Sequence, residues 1–177
     1  MGSWRGSAQR RAWRPYIEAS LLLETRLDED LRSSAGMSLM DYHLLLVLAE
    51  APGRRLRMGE LAGRMVFSPS RLTYQVKALE RRGWVVRHPS AEDRRVAFAV
   101  LTAAGLEALR DADRTHIATV RRLFTDDLDD HELDVLSRVF TRTRARLQGA
   151  SGGASGGGAS GDGVTGDGVT GDQGEGC

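Results

Sequence analysis

The chain has 177 residues, of which 41% are hydrophobic and 28% are charged, and its formal net charge is +1. This composition is typical of a globular protein rather than of a disordered or membrane-embedded chain. No apolar run approaches the roughly 20 residues that a membrane-spanning helix needs. The N-terminal sequence MGSWRGSAQRR also lacks the apolar stretch of a secretory signal, so we expect a cytoplasmic protein without a membrane partner.

The charged residues are distributed unevenly along the chain. All charges after Gly149 are acidic, so residues 1–148 carry a net charge of +5. Most of that surplus lies between Ser68 and Arg95, where seven basic residues accompany three acidic ones. A local basic patch of this kind favours a partner that carries phosphate groups.

The N-terminal third predicts two helices after a flexible segment at 1–9. Apolar residues recur at helical spacing over 10–35, with a regular start near Pro15 and an end at Gly36. Ser38 and Asp41 have the spacing of a capping box and begin a second helix. Because that helix is apolar nearly all round, we expect it to be buried at the centre of the fold.

The middle of the chain predicts two more helices and a β-hairpin. Apolar residues at i, i+3, i+4 and i+7 indicate a short helix over 58–65. Ser68 followed by Pro69 begins the next helix, which ends at Gly83. Two strand-like runs follow, separated by the charged turn that contains Glu92 to Arg95.

The C-terminal part predicts further long helices and then a tail. Thr102 is a candidate N-cap, and Asp129 with Glu132 begins another helix. The apolar stripes of the terminal helices, at about 10–35 and 103–148, exceed what a monomer of this size can easily bury, which suggests a dimer. Residues 149–177 are rich in Gly, Ser and Asp and predict a disordered tail.

The two short helices in the middle, with the turn between them, match the pattern of a helix-turn-helix. The apolar face of the second helix would anchor it on the first, and its opposite face carries residue types that bind base edges and phosphates. By itself this pattern fits a solvated amphipathic helix equally well. The candidate DNA contacts in this segment are Ser68, Ser70, Arg71, Thr73, Tyr74, Gln75 and Lys77.

The hairpin decides between these interpretations. A hairpin directly after such a helix is a wing, and arginine at its tip suits a narrow minor groove. With it, the segment 68–105 resembles the winged-helix core of the multiple-antibiotic-resistance regulator (MarR) family. The residues that carry the resemblance are Leu79, Glu80, Gly83, Asp93, Arg95, Val100, Leu101, Thr102 and Gly105.

The resemblance implies a mainly α fold with a small β-hairpin. A winged helix-turn-helix core at about 38–102 would lie within a MarR-type domain at 10–148, and the N- and C-terminal helices would form the dimer interface. It also implies a homodimer that binds double-stranded DNA sequence-specifically, as a repressor on a pseudo-palindromic operator. In the family pattern Asp93 steadies the wing and Arg95 enters the minor groove, while Arg94 would hold a phosphate.

Members of the family often bind an effector between the dimer base and the winged helix. By that resemblance the candidates here are Trp13, Tyr16, Tyr42 and His43, and the effector would be a small aromatic or phenolic compound. Each of these side chains fits an ordinary core or dimer contact equally well. A constitutive DNA binder without ligand control therefore stays open.

Other classes of function fit the sequence less well. Solvated acids such as Glu92 and Asp93, beside arginines on a turn, are poor general acids at neutral pH. The chain has no Ser-His-Asp motif, phosphate loop or HExxH, and its histidines are separated from one another and from Cys177, the only cysteine. We therefore expect neither an enzyme nor a cofactor nor a metal site. A protein-interaction module that uses the same basic face remains an alternative.

Overall fold

The computed structural model describes residues 7–90, 92–93 and 95–152, with side chains up to 149. Most of the predicted flexible segment and of the predicted tail, Cys177 included, lie outside the described residues, as does Arg94. Contacts group the chain into two units, 1–137 and 138–177. The described elements are α1 (Ala8–Ala35), α2 (Leu39–Ala49), β1 (Arg55–Arg57), α3 (Met58–Met65), α4 (Pro69–Arg81), β2 (Val85–Pro89), β3 (Ala97–Leu101), α5 (Ala103–Val120), a π-helical segment (Arg121–Thr125) and α6 (Asp130–Gly152).

Helix α1 begins earlier than the sequence predicts. Ser7 caps it by accepting a hydrogen bond from the Arg10 N–H, so the expected regular start near Pro15 is wrong. Pro15 lies inside the helix, where its ring is compatible with helical φ but removes one intrahelical hydrogen bond. The predicted end is confirmed, because Gly36 adopts the left-handed conformation with φ 63° and donates its N–H to the last turn.

Helix α2 is buried at the centre of the core, as its all-round apolar sequence predicts. Leu44, Leu45 and Leu48 are fully buried, and each contributes roughly 2 kcal/mol of hydrophobic stabilisation. The capping box is also confirmed, since the Asp41 N–H donates to Ser38 Oγ and the Ser38 N–H donates to the Asp41 carboxylate, both at 3.0 Å. The core includes residues of α1 to α5 and of all three strands.

The small sheet has one strand more than the predicted hairpin. β2 and β3 pair antiparallel with Val85 opposite Leu101, and β1 pairs antiparallel with the other edge of β3, giving the order β1-β3-β2. The sequence did not predict β1, because three residues carry too little periodicity to be recognised. In β1 only Leu56 is buried, and its two arginines lie on the outer face of the sheet.

Helix α5 begins in close contact with the loop that follows α4. Thr102 caps the helix by accepting from the Gly105 N–H at 2.9 Å, and its own hydroxyl donates to the Gly83 carbonyl at 2.7 Å. A Cβ added at Gly105 would lie 2.1 Å from the carbonyl oxygen of Trp84. The motif Leu-Thr-x-x-Gly is therefore a structural joint between the wing and α5.

After α5 the chain continues through the π-helical segment, in which the Asp126 N–H donates to the Arg121 carbonyl at 2.9 Å. The predicted restart is confirmed, because Asp129 and Glu132 form a reciprocal capping box at the start of α6. α6 extends to Gly152, a few residues into the segment predicted as tail. Among the described residues, no helix has the length and apolar character to span a bilayer.

Candidate nucleic-acid interface

A tight turn joins α3 to α4. Val66, at the end of α3, adopts the left-handed conformation with φ 54°, and the Phe67 N–H donates to the Ala62 carbonyl at 2.9 Å. A β-branched residue is strained in this conformation, which glycine adopts freely. The two helices pack on each other through buried Leu61, Met65 and Leu72 and form the predicted helix-turn-helix.

Helix α4 exposes a polar and basic face. Ser68 caps the helix by accepting from the Arg71 N–H, while Leu72, Val76 and Leu79 bury the opposite side. Tyr74, which is 71% exposed, borders a shallow groove of about 410 Å³ on the exposed side. The exposed predicted contacts are Ser68, Ser70, Arg71, Tyr74 and Lys77.

Two residues of this face are positioned by neighbours. The Arg71 guanidinium lies over the Phe67 ring, 4.4 Å from its centre, which orients it beside the turn. The half-buried Thr73 donates its hydroxyl to the Pro69 carbonyl at 2.8 Å, within the helix. The lone pairs of the Thr73 hydroxyl and its methyl group therefore remain available for a contact outside the helix. Arg71 retains its full positive charge.

Gln75 differs from the other predicted contacts. Its side chain is half-buried, and its amide Nε2 donates to Asp41 Oδ1 at 2.6 Å. Asp41 is also the N3 residue of the capping box of α2, whose N-cap is Ser38. The structure thus joins α4 to the start of α2 through Gln75.

The wing holds an exposed arginine above a braced turn. Asp93 Oδ1 accepts from the Arg95 N–H at 2.9 Å and from the Arg95 Nε at 3.3 Å, while the Asp93 carbonyl accepts from the Val96 N–H at 2.9 Å. The Arg95 side chain is 92% exposed. The carboxylate therefore links the backbone and the side chain of Arg95 within the turn, and the guanidinium extends into solvent.

Interactions between α4 and its neighbours hold the wing against the helix. The Glu80 carboxylate accepts from the Arg87 N–H at 3.2 Å and pairs with the Arg87 guanidinium at 2.8 Å. The Arg82 guanidinium lies 3.5 Å from the centre of the Trp84 ring and donates to the Gly36 carbonyl at 2.8 Å. These interactions couple α4 to β2 and to the end of α1.

The sequence interpretation missed two basic residues beside the wing. Arg55 and Arg57 of β1 are exposed, and both guanidinium groups lie over the Phe98 ring of β3, at 4.8 Å and 5.9 Å from its centre. The alternation Arg-Leu-Arg covers only three residues, which is too short to identify a strand from the sequence.

A separate cavity of about 1080 Å³ is bounded by α1, α2 and α5. Two of the four predicted effector residues, Tyr42 and His43, line it. The structure does not bring Trp13 and Tyr16 to this cavity; their rings contact each other near the start of α1, with centres 5.6 Å apart. The remaining lining residues include Met40, Leu46, Ile117, Val120, Arg32 and Arg121.

A cluster of three polar residues that the sequence did not predict, Tyr42, Asp113 and His116, lies at the wall of this cavity. The Tyr42 hydroxyl donates to Asp113 Oδ1, and the Tyr42 ring contacts that of His116, with ring centres 4.3 Å apart. His116 Nδ1 is buried and has no hydrogen-bond partner among the described residues. Burial lowers the pKa of His116 against the opposing effect of Asp113 and Asp30, and burial followed by the hydrogen bond to Asp113 raises the pKa of Tyr42.

A helix-turn-helix, an exposed recognition helix and a braced wing define a class, the winged helix-turn-helix proteins that bind DNA and regulate transcription. AbsC, a MarR family transcriptional regulator from Streptomyces coelicolor, is 37% identical to this chain with a TM-score of 0.77, over 83% of this chain and 99% of AbsC. The chain belongs to the MarR family.

Further comparisons agree with this assignment. A sequence model of the MarR family matches residues 35–96. Sco3205, a MarR family regulator from Streptomyces coelicolor whose structure was solved in complex with DNA, is 40% identical with a TM-score of 0.78, over 84% of this chain and 92% of Sco3205. The HTH-type transcriptional regulator MhqR of Bacillus subtilis (strain 168) is 26% identical over 107 residues, which are 60% of this chain and 72% of MhqR. The protein is therefore a DNA-binding transcriptional regulator and not an enzyme.

Proposed function

We propose that the protein is a homodimeric repressor that recognises a pseudo-palindromic operator. Each protomer places α4 in a major groove and the wing in the adjoining minor groove, so the half-sites lie about one helical turn apart. The observation that carries this proposal is the exposed polar and basic face of α4 together with the exposed Arg95 of the wing. As a DNA-bound regulator it would act in the cytoplasm.

The proposal assigns different roles to the residues of this surface. Lys77 and Arg71 contact phosphates or guanine edges, Tyr74 contacts bases or sugar, and Ser68, Ser70 and Thr73 contact the backbone. Arg95 enters the minor groove, supported by Asp93, and Arg94 binds phosphate. Gln75 positions α4 through Asp41, because its amide is already bound in the absence of DNA.

Exposed apolar side chains support a dimer. Leu21 and Leu22 of α1 are 59% and 66% exposed, and Ile117 of α5 is half exposed. On α6, taken by itself, Leu133, Val139, Phe140 and Leu147 are exposed as well. Apolar residues this numerous on the terminal helices favour burial against a second copy. Sedimentation of the intact protein should give the mass of a dimer, and a monomer at micromolar concentration would contradict the proposal.

The cavity supports control by a small aromatic or phenolic effector. It combines apolar walls with the polar edges of His43 and the buried His116, which suits a ring that bears one polar substituent. In thermal-shift and DNA-release measurements with phenol and benzoate series, a binding compound should stabilise the protein and lower its DNA affinity. If a bound compound leaves DNA affinity unchanged, or if none binds, the protein is a constitutive DNA binder.

DNA recognition itself is tested with duplexes selected by the protein from a randomised pool. Six to ten phosphate contacts should lower affinity by about 10³- to 10⁵-fold between 50 and 200 mM salt. Lys77→Ala should weaken binding to selected and unselected duplexes alike, while a variant of a base-reading residue should reduce the preference for the selected duplex. A flat salt response with no selected sequence would favour the protein-interaction module instead. A reporter placed behind the selected operator distinguishes repression from activation.

A further inference from the structure

We propose that the outer face of the small sheet is a second DNA contact, which binds the phosphate backbone flanking the operator beyond the wing. Arg55 and Arg57 of β1, both held over Phe98, form this contact. The inference rests on the proposed mode of DNA reading by α4 and the wing, and extends the interface to a strand outside both.

The strand register places these side chains on one face. Arg55 lies opposite Val100 and Arg57 opposite Phe98, while His88 lies opposite Phe98 from the other side. The residues that alternate with them, Leu56 and Ala99, are buried in the core. Arg55, Arg57, Phe98 and His88 therefore share the face that points away from the core, and they border a groove of about 460 Å³.

The charge on this face lacks compensation. Neither Arg55 nor Arg57 forms an ion pair with a carboxylate among the described residues, and the only acid that borders the groove is Glu92. The Phe98 ring orients both guanidinium groups without neutralising them, since a cation–π contact leaves the N–H donors available. Two like charges gathered on one ring repel each other, and a polyanion relieves that repulsion.

The position of the face next to the wing identifies the anion. Phe98 is three residues from Arg95 along the chain, a separation of at most about 10 Å in extended backbone, and neighbouring strands lie about 4.8 Å apart. The groove reaches the wing turn itself, since Ser90 and Glu92 also border it. When Arg95 lies in a minor groove about 6 Å wide, Arg57 is within reach of the backbone that bounds that groove. The partner is therefore the flanking duplex, and not a separate molecule.

The test compares three duplexes. The short duplex is the selected operator of about 20 bp, and the long duplex is the same operator with about one helical turn, 10 bp, added at each end. The third is a long duplex whose added turns carry uncharged methylphosphonate linkages. Wild type should bind the charged long duplex about tenfold more tightly than the short one, as expected for a charge-assisted contact, and should gain nothing from uncharged flanks. The Arg55→Gln/Arg57→Gln variant should bind the short duplex nearly as wild type does and should show no such gain. Arg55→Lys/Arg57→Lys should keep most of it.

The matched control is Arg110→Gln/Arg114→Gln, which removes two exposed arginines from α5 and should behave as wild type. The gain is the ratio of the affinities that one protein has for the long and for the short duplex. It is therefore independent of the affinity for the short duplex itself, which tests α4 and the wing. If no operator can be selected, the slope of log affinity against log salt on an unselected long duplex should still become shallower by about 0.9 for each arginine that no longer neutralises a phosphate. The proposal is overturned if Arg55→Gln/Arg57→Gln shows the wild-type increase in affinity on the long duplex or the wild-type salt slope. It is also overturned if wild type gains as much affinity from uncharged flanks as from charged ones. The partner of this face would then be an acidic protein segment.

Discussion

Gln75 of α4 donates a 2.6 Å hydrogen bond to Asp41, which forms the capping box of the central helix α2 with Ser38. Asp41 lies between Met40 and Tyr42, which both line the cavity. A single side-chain contact thus connects the helix proposed to read DNA with the wall of the proposed effector site. A ligand that displaces the start of α2 would act on α4 through this contact.

A double-mutant cycle measures the strength of this connection. Gln75→Ala and Asp41→Ala should each lower the free energy of unfolding in urea, and their coupling energy should be about 0.5–1.5 kcal/mol because they remove the same hydrogen bond. Thr73→Ala combined with Asp41→Ala is the control and should be additive, since Thr73 bonds within its own helix. Additivity of the Gln75 and Asp41 pair would show that the contact carries no energy.

Removal of the two acids of the wing turn should affect DNA affinity differently. Asp93→Ala should weaken DNA binding although it removes a negative charge, because the carboxylate fixes the Arg95 N–H and guanidinium. Glu92→Ala, which removes an exposed acid from the same turn, should leave affinity unchanged or raise it. Arg95→Ala should cost roughly 1–3 kcal/mol of binding free energy by titration of the selected duplex. Tighter binding by Asp93→Ala would rule out the supporting role.

Gly105 should tolerate no side chain. Gly105→Ala places a methyl group against the Trp84 carbonyl and the Leu101 side chain, so α5 must shift, and we expect a decrease of about 1–3 kcal/mol or more in the free energy of unfolding. Gly63→Ala is the matched control in α3, where an added Cβ meets nothing within 4 Å. It should stabilise the protein by up to about 1 kcal/mol through helix propensity. Equal effects in thermal or urea unfolding would contradict the close packing at Gly105.

His116 should make stability depend on pH. Its folded pKa is lowered by burial, so below about pH 6.5 the unfolded chain binds more protons than the native one. The contribution of neutral His116 to the free energy of unfolding is therefore complete above pH 6.5 and is lost as the pH falls through the folded pKa. In His116→Phe the free energy of unfolding should fall less steeply between pH 7 and 5, and the difference in slope from wild type should be at most about 1.4 kcal/mol per pH unit. An unchanged slope in His116→Phe would refute the prediction.

The elements that local signals define could be predicted from the sequence. Capping residues, Pro69, Gly36 and the apolar periodicity mark helix boundaries within a few residues, so the helix-turn-helix and the wing were recognisable. β1 could not be predicted because three residues provide too little periodicity. The start of α1 could not be placed correctly because Pro15 indicates a later start than the one that the cap at Ser7 sets.

The contacts that shape the candidate sites could not be predicted in the same way. Gln75 and Asp41 are 34 residues apart, and Tyr42 and Asp113 are 71 apart. Such pairs depend on how α2 packs against α4 and α5, which no local pattern encodes. The sequence predicts a polar face on α4. It does not show that Gln75, within this face, donates a hydrogen bond to Asp41 of α2.

The π-helical segment at the end of α5 holds one residue more than a regular α-helical turn, as the bond from the Asp126 N–H to the Arg121 carbonyl shows. Val120 and Arg121, at its start, border the cavity. Removing one residue here would restore a regular α-helical turn at the end of α5. A single-codon deletion would therefore alter the edge of the cavity that Val120 and Arg121 form while leaving the residues of the winged helix unchanged, an evolutionary route to altering the proposed effector site alone.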